Sequence, residues 1–293
     1  MHNRTPLTRD EVIRQSRSLP SFPSLITQIL ATLDDPDGNL NTLMRCINLD
    51  PLISARILSV ANSAAVRGRR DSEICDIRTA TSLIGMSRVR HITLISSLST
   101  FIAGNSPLRV PTSFWQHSVA VGICCEELTQ QTQTSVTPAT ALVAGLLHDI
   151  GQLWLLHFKA AEFQVCQQQA KLRTLGIEEI EHEHFGIDHG TLGSWLVEHW
   201  ALPSSVIEAI RHHHNPQSDL KSPLVALVHV AEVLSNALDL CAGAENHVTQ
   251  LSRQACEQLG LIWNPESRLL FGRIEARASH SNAFFAIAQP GVM

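Results

Sequence analysis

The sequence predicts an all-α fold, and three observations support this prediction. Apolar residues recur at spacings of three and four along most of the chain. No series of segments shows the regular apolar and polar alternation that is typical of β-strands. Several segments open with a capping residue followed by proline, the order favoured at helix N-termini. We therefore expect two packed helical bundles and a helical extension.

The N-terminal part of the chain contains five predicted helices. Asp50 is a plausible cap for one of them, because Pro51 would then occupy the first helical position, and Asn39 is a plausible cap for the helix before it. Residues 105–112 break the helical pattern and predict a linker. The predicted first bundle therefore spans residues 1–112, with helices at 23–33, 40–49, from 51 onward, 77–83 and 89–98.

A second set of helices follows the linker. Thr137-Pro138 and Ser222-Pro223 each give the cap and proline order, and Asn215-Pro216 ends a helix. The pattern weakens after residue 249, where we expect one or two helices and an irregular tail. The predicted second bundle spans residues 113–245 and the extension 246–293, with bundle helices at 114–128, from 138 through the doublet at 148 and 149, 187–200, 204–214 and from 223 onward.

Composition limits the class of protein. At 293 residues and 44% hydrophobic, the chain can bury a full core in one large or two modest domains. No stretch is expected to cross a membrane and the first residues lead into no apolar signal core, so we expect a cytoplasmic protein. The seven cysteines form no Cys-x-x-Cys pair, and we expect them to be reduced and mostly buried.

The net charge of −5 argues against binding to nucleic acid polymers or to anionic membranes. Two local basic patches remain, one around Gly68 and one before His91. Each is interpreted either as a solvated surface or as a docking surface for a phosphate-bearing ligand or an acidic partner. The arginines of these patches are Arg67, Arg69 and Arg70, and Arg88 and Arg90.

The doublet His148-Asp149, set in an apolar segment, is the strongest chemical signal in the chain. Imidazoles and carboxylates from separate helices suit a divalent metal ion that keeps positions open for water and phosphate. An imidazole-rich set favours Fe, Mn or Zn over Mg. Further candidate ligands lie on later or earlier predicted helices: His117, His189, His213, His214 and Glu232.

Each candidate also has a simpler structural interpretation. The doublet could end a solvated helix, and His189 could lie at the surface or stand in for a helix cap. The histidines at 213 and 214 could stabilise a helix C-terminus, and His229 could supply the cation for Glu232. In residues 181–184 a solvated turn is favoured over a metal site, with Glu181 kept as a residue that supports a ligand. No phosphate-binding glycine loop, dinucleotide fingerprint or serine elbow is present in the sequence.

The order of these residues resembles the HD metal-dependent phosphohydrolase superfamily, and in particular its signalling branch, the HDOD (HD-related output) domains. Short segments of residues 19–240 are similar to that family's pattern. They are Leu19-Pro20-Ser21-Phe22-Pro23, residues 50–58, Ala61-Asn62-Ser63, residues 77–85, Trp115-Gln116-His117-Ser118, Gly186-Ile187-Asp188-His189 and Trp200-Ala201-Leu202-Pro203.

The resemblance implies a bacterial signal-transduction protein, with an HD-like second bundle, that acts as a regulatory output or protein-interaction module for signalling proteins. The alternative is a metal-dependent phosphohydrolase, acting on a cyclic di-nucleotide or another phosphoester, with Asp149 as its catalytic residue. The sequence departs from the pattern of the related phosphohydrolases at two points, which bears on the choice between a regulatory module and an enzyme. The last ligand is Glu232 where Asp is usual, and no Gly-Tyr-Pro follows His214. By position, the ligands implied are His117, His148, Asp149, His189, His213, His214 and Glu232.

Overall fold

The computed structural model confirms the all-α prediction, since the residues that it describes form thirteen α-helices and one 3-10 helix and contain no strand. The described residues are 6–17, 44, 47, 51–63, 66, 73–86, 88–89, 92–94, 96–97, 110–219, 222–241 and 250–287. The predicted helix at 23–33, most of that at 40–49 and the patch at Arg67, Arg69 and Arg70 lie outside them.

The connections between the helices from Thr112 to Ala237 are short. The helices are α1 (Arg9–Ser16), α2 (Pro51–Ala61), α3 (Ile77–Ile84), α4 (Thr112–Thr129), α5 (Pro138–Leu147), α6 (Ile150–Phe158), α7 (Ala160–Arg173), α8 (Ile177–Phe185), α9 (His189–His199), α10 (Ser204–His212), the 3-10 helix Pro216–Asp219, α11 (Pro223–Ala237), α12 (Arg253–Leu259) and α13 (Ser267–Ile287).

Two compact units make up the chain. The smaller unit comprises residues 19–105, and the larger comprises residues 1–18 together with 106–293. Helix α1 and the two last helices thus belong to the larger unit. The predicted division of the chain into domains 1–112, 113–245 and 246–293 stays a prediction.

In the smaller unit, helix α2 packs against α3 and Asn62 joins the end of α2 to the segment before α3. The Asn62 side chain donates to the carbonyl oxygen of Ile74 and accepts from the Ile74 amide, both at 2.8 Å. Asp76 then caps α3 by accepting from the Thr79 amide at 2.7 Å. The motif at residues 61–63 therefore has a structural role, which is to hold the α2–α3 connection.

Helix α4 is the central helix of the larger unit. It packs against α5, α11 and α13, and most of its residues are buried. Where α4 meets α13, two buried carboxylates, Glu126 and Glu127, pair with Arg273 and Arg277. Because these carboxylates are removed from water, the arginines of α13 are needed to compensate their charge.

The predicted caps at Thr137 and Ser222 are confirmed, since each side chain accepts from the backbone three residues ahead. Helices α1, α7 and α8 were not individually predicted. Helix α1 packs on α9, and Trp154 of α6 donates to the Ser16 hydroxyl at 3.0 Å. Two helices, α12 and α13, occupy the region after residue 249.

One expectation about the apolar segments needs correction. Residues Pro138–Phe158 are long and apolar enough to cross a membrane by composition, although 83% of their most apolar part is buried inside the fold. The structure divides this stretch into α5 and α6, which is how a buried core segment of a bundle behaves. Among the six described cysteines none forms a disulfide, and all except Cys75 are buried.

Candidate metal centre

The His148-Asp149 doublet lies at a break between two helices. His148 is the C-cap of α5 and Asp149 is the N-cap residue of α6, with φ −96° and ψ 14°. The expectation of one continuous helix through the doublet is therefore wrong. The side chains on either side of this break both reach the same cluster, with Nε2 of His148 3.3 Å from Oδ2 of Asp149.

His148 and His213 are held in the same way. Each donates its Nδ1 hydrogen to a carbonyl oxygen one turn earlier, His148 to Gly145 and His213 to Ile210, both at 2.7 Å. This bond leaves each Nε2 as the acceptor nitrogen, the form that binds a metal. Both Nε2 atoms are buried and accept no hydrogen bond.

His189, the first residue of α9, is fully buried, so its interpretation as a surface residue is wrong. Its Nδ1 and its backbone amide both donate to one oxygen of Glu181, at 2.7 Å each. Its Nε2 lies 3.1 Å from Oδ1 of Asp149. Burial opposes a charged His189, but the carboxylates of Glu181 and Asp149 outweigh burial and raise its pKa well above the usual value.

Glu181 also corrects the interpretation of residues 181–184. The segment belongs to helix α8 and is no solvated turn, and the Glu181 side chain is fully buried. Its carboxylate orients the His189 ring by accepting from Nδ1, as a carboxylate commonly does behind a metal-binding histidine. The sequence analysis favoured a solvated turn here and kept Glu181 only as a residue that supports a ligand. The position of Glu181 beside His189 agrees with the second interpretation.

The structure brings all seven predicted ligands together, in two groups. The candidate ligand atoms within each group lie within 4.8 Å of one another. Asp149 lies between the groups, since its Oδ2 is 3.3 Å from Nε2 of His148 and 3.7 Å from that of His117, while its Oδ1 faces His189. The groups are Asp149, His189, His213 and His214, and His117, His148 and Glu232.

The electrostatics of the cluster are mixed, because nearby carboxylates outweigh burial and raise the pKa of His148 and His189 while burial affects other members. Burial raises the pKa of Glu232 to about 7, and burial together with His148 lowers the pKa of His117 to about 4. Neutral imidazoles are the metal-binding form, and a buried carboxylate without a cation is costly. The residues present therefore fit a divalent metal centre, and Oδ1 of Asp149 is a further buried atom that accepts no well-aligned hydrogen bond.

His229 is not the cation for Glu232. Its Nδ1 donates to the carbonyl oxygen of His213 at 2.9 Å, and its Nε2 accepts from the Ser252 amide at 3.1 Å. With one nitrogen donating and the other accepting, the ring is neutral, and burial lowers its pKa. His229 thus links the backbone at His213 to the start of α12 through two hydrogen bonds. The sequence analysis missed this role.

The cluster opens onto a cavity of about 460 Å³. Four of the proposed ligands line it, and its walls come from α4, α6, α7, the start of α8 and α11. A ligand could therefore reach the metal centre from this side. The lining ligands are His117, Asp149, His214 and Glu232.

Comparison with protein families is consistent with this geometry. A model of the HDOD domain matches residues 19–216, more than half of the chain. The chain belongs to the HDOD family. Glu232 lies beyond the matched residues, although the structure places it in the cluster.

Solved structures share the HDOD fold at low sequence identity. An HDOD domain protein of unknown function from Geobacter sulfurreducens aligns with a TM-score of 0.72 and 22% identity, covering 97% of this chain and 99% of that one. A Shewanella amazonensis protein provisionally named a phosphohydrolase gives 0.68 and 22%, covering 94% and 97%. A Marinobacter aquaeolei protein, provisionally named for signal transduction, gives 0.73 and 20%, covering 94% and 61%.

A relative known from sequence is an uncharacterised protein of Treponema pallidum. It is 23% identical over 224 residues, which cover 75% of this chain and 43% of the relative. The HDOD chain therefore spans less than half the length of that relative.

Replacing Glu181 with Gln should weaken metal binding about tenfold or more, because the His189 ring would lose the carboxylate that orients it. Isothermal titration of the metal-free HDOD protein with Mn²⁺ measures this change. Glu183→Gln is the matched control, since Glu183 is exposed on the same helix and pairs only with exposed Arg173 among the described residues. Equal affinities in the two variants would contradict the role given to Glu181.

Proposed function

We propose that this HDOD protein is a bacterial, cytoplasmic signal-transduction module whose metal centre binds a phosphate-bearing ligand. The observation that carries the proposal is the convergence of seven imidazole and carboxylate groups in one cluster, four of which line a cavity. An imidazole-rich set supports Fe, Mn or Zn as the metal. The family match and the provisional signalling name of the Marinobacter aquaeolei protein support the signalling context.

The metal centre would act in regulation by joining separate helices. Its proposed ligands come from α4, the α5–α6 junction, α9, the end of α10 and α11. A ligand bound at such a centre stabilises the arrangement of those helices relative to any arrangement that separates them. A signalling protein that recognises the stabilised arrangement would be the partner.

The partner proposal is tested through the basic patch of the N-terminal half. A binding protein identified by affinity purification should bind the purified HDOD protein, and binding should fall at least tenfold when Arg69 and Arg70 are both changed to Glu. Arg253→Glu is a control on an exposed arginine of the larger unit. Undiminished binding by the double variant would exclude the patch as the docking surface.

Metal-dependent phosphohydrolysis is the second candidate function, and the open cavity beside the cluster favours it. A bound divalent metal would polarise the phosphoryl group and make water a better nucleophile near neutral pH. Asp149 would hold the reacting groups in position, since its carboxylate lies between the two ligand groups. His117 and His214, which line the cavity, have pKa values lowered by burial and are therefore in the neutral form that binds a metal.

A panel of phosphoesters distinguishes the two functions. Cyclic di-nucleotides, nucleoside phosphates and a chromogenic phosphodiester are incubated with the protein and Mn²⁺, Fe²⁺ or Mg²⁺. If the protein is a hydrolase, turnover requires the metal and is lost in Asp149→Ala. Turnover that survives Asp149→Ala would come from elsewhere, and ligand binding without turnover would leave the regulatory function.

A further inference from the structure

Glu178 lines the cavity beside the proposed metal ligands but belongs to neither ligand group. It lies in the first turn of α8, three residues before Glu181. Its side chain is half-buried, and burial raises its pKa. Its carboxylate forms no ion pair with another residue in the described part of the chain, and its charge is stabilised by its own backbone N–H and by the charge of His189.

The Glu178 carboxylate lies next to Gly176, where a side chain at position 176 would be. A Cβ atom on Gly176 would fall 2.2 Å from Oε1 and 2.5 Å from Oε2 of Glu178. The carboxylate therefore occupies the space that any other residue at position 176 would fill. Gly176 has φ −60° and ψ 144°, which every residue type can adopt, so a larger residue here would be accommodated by moving the flexible Glu178 carboxylate and would not strain the backbone.

The same cavity thus has two chemically different ends. A metal held by the cluster would offer positive charge for a phosphate, while Glu178, which lines the same cavity as Lys171, offers a carboxylate that forms no ion pair with a described residue. A second phosphate near Glu178 would be repelled, whereas an amine would gain a charge-assisted hydrogen bond. The volume of about 460 Å³ admits a small organic phosphoester.

We propose that Glu178 determines ligand specificity by binding an amino or other cationic group on a phosphoester whose phosphate lies at the metal centre. The ligand class is then an organic phosphoester that carries an amine within a few bonds of the phosphate. This inference rests on the proposed binding of a phosphate-bearing ligand by the metal centre.

Calorimetric titration of the Mn²⁺-loaded protein tests the proposal. The probes are inorganic phosphate, aminoalkyl phosphates with two, three and four carbons, and the alkyl phosphates of matching length. At least one aminoalkyl phosphate should bind about tenfold more tightly than its matched alkyl phosphate. Inorganic phosphate, which has no amine, should bind the wild type and the variants equally.

Two variants test separately the negative charge of Glu178 and the position of its carboxylate. Glu178→Gln removes the charge, and Gly176→Ala keeps the charge but displaces the carboxylate, so each should abolish the preference for the amine. Glu179→Gln is the matched control because Glu179 is exposed on the same turn, and it should keep the preference. Metal content, measured for every variant, should be unchanged.

The possible failures are distinguishable. If inorganic phosphate and every ester fail to bind the metal-loaded protein, the proposed function and this inference fail together. If phosphate binds but the amine gives no advantage, or if the advantage persists in Glu178→Gln, the inference alone is wrong. Tighter inorganic phosphate binding by Glu178→Gln would also overturn it, since Glu178 would then only repel anions.

Discussion

The protein purified without chelators is expected to contain a transition metal and to lose thermal stability when the metal is removed. At free metal near 100 times its dissociation constant, binding stabilises the folded state by about 2.7 kcal/mol. For a protein of this size each kcal/mol corresponds to about 2–4 °C in Tm. Removal of the metal should therefore lower Tm by about 5–10 °C, and elemental analysis with thermal unfolding measures both changes.

Two neighbouring histidines provide a matched test of the metal ligands. His213 is buried with a free Nε2, whereas His212 is half-buried and contacts Ser218 and Glu208 outside the cluster. His213→Ala should lose most of the bound metal, and His212→Ala should keep it. A metal-free wild type after anaerobic purification, with Tm unchanged by chelation and by His148→Ala, would show that the cluster binds no metal.

Gly151→Ala is expected to be the most damaging single substitution near the centre. A Cβ atom at residue 151 would fall 2.0 Å from the carbonyl oxygen of His189 and 2.9 Å from the amide nitrogen of Gly193. Both are backbone atoms, so α6 and α9 would have to separate, and Asp149 would move away from His189. Overpacking usually costs 1–3 kcal/mol, and we expect about 3 kcal/mol or more here, with loss of the metal.

Thermal unfolding and elemental analysis of Gly151→Ala test this expectation. Gly272→Ala is the control, because Gly272 lies in a helix with no atom within 4 Å of the added Cβ. An exposed helical Gly→Ala substitution is neutral or stabilises by up to about 1 kcal/mol. A Gly151→Ala protein with wild-type Tm and metal content would mean that α6 and α9 can separate without disturbing the centre.

Local signals in the sequence predicted much of this structure. Thr137 and Ser222 were predicted as caps because a cap followed by proline depends on neighbouring residues alone. The seven candidate ligands were found from imidazoles and carboxylates on apolar segments, which need partners, and from the resemblance to the HD superfamily.

Other features depended on contacts between distant residues. Glu181 lies in a charged segment that is typical of a solvated turn, and only the packing of α8 against α9 buries it beside His189. The apolar run through His148 predicted a continuous helix, yet the chain turns there. His229 was considered as the cation for Glu232 and Glu178 was not singled out, because the role of each depends on groups supplied by other helices.

The positions of the ligands along the chain have a consequence for folding. They come from α4, the α5–α6 junction, α9, α10 and α11, so the centre forms only when the whole bundle has closed. Contacts between distant parts of a chain form late, after the entropy of closing long loops has been lost. Before closure, the 15 histidines and seven cysteines of the unfolded chain compete for the same ions. Metal supplied too early would thus hold the chain in misligated, partly folded states, whereas metal supplied after closure would meet a completed site.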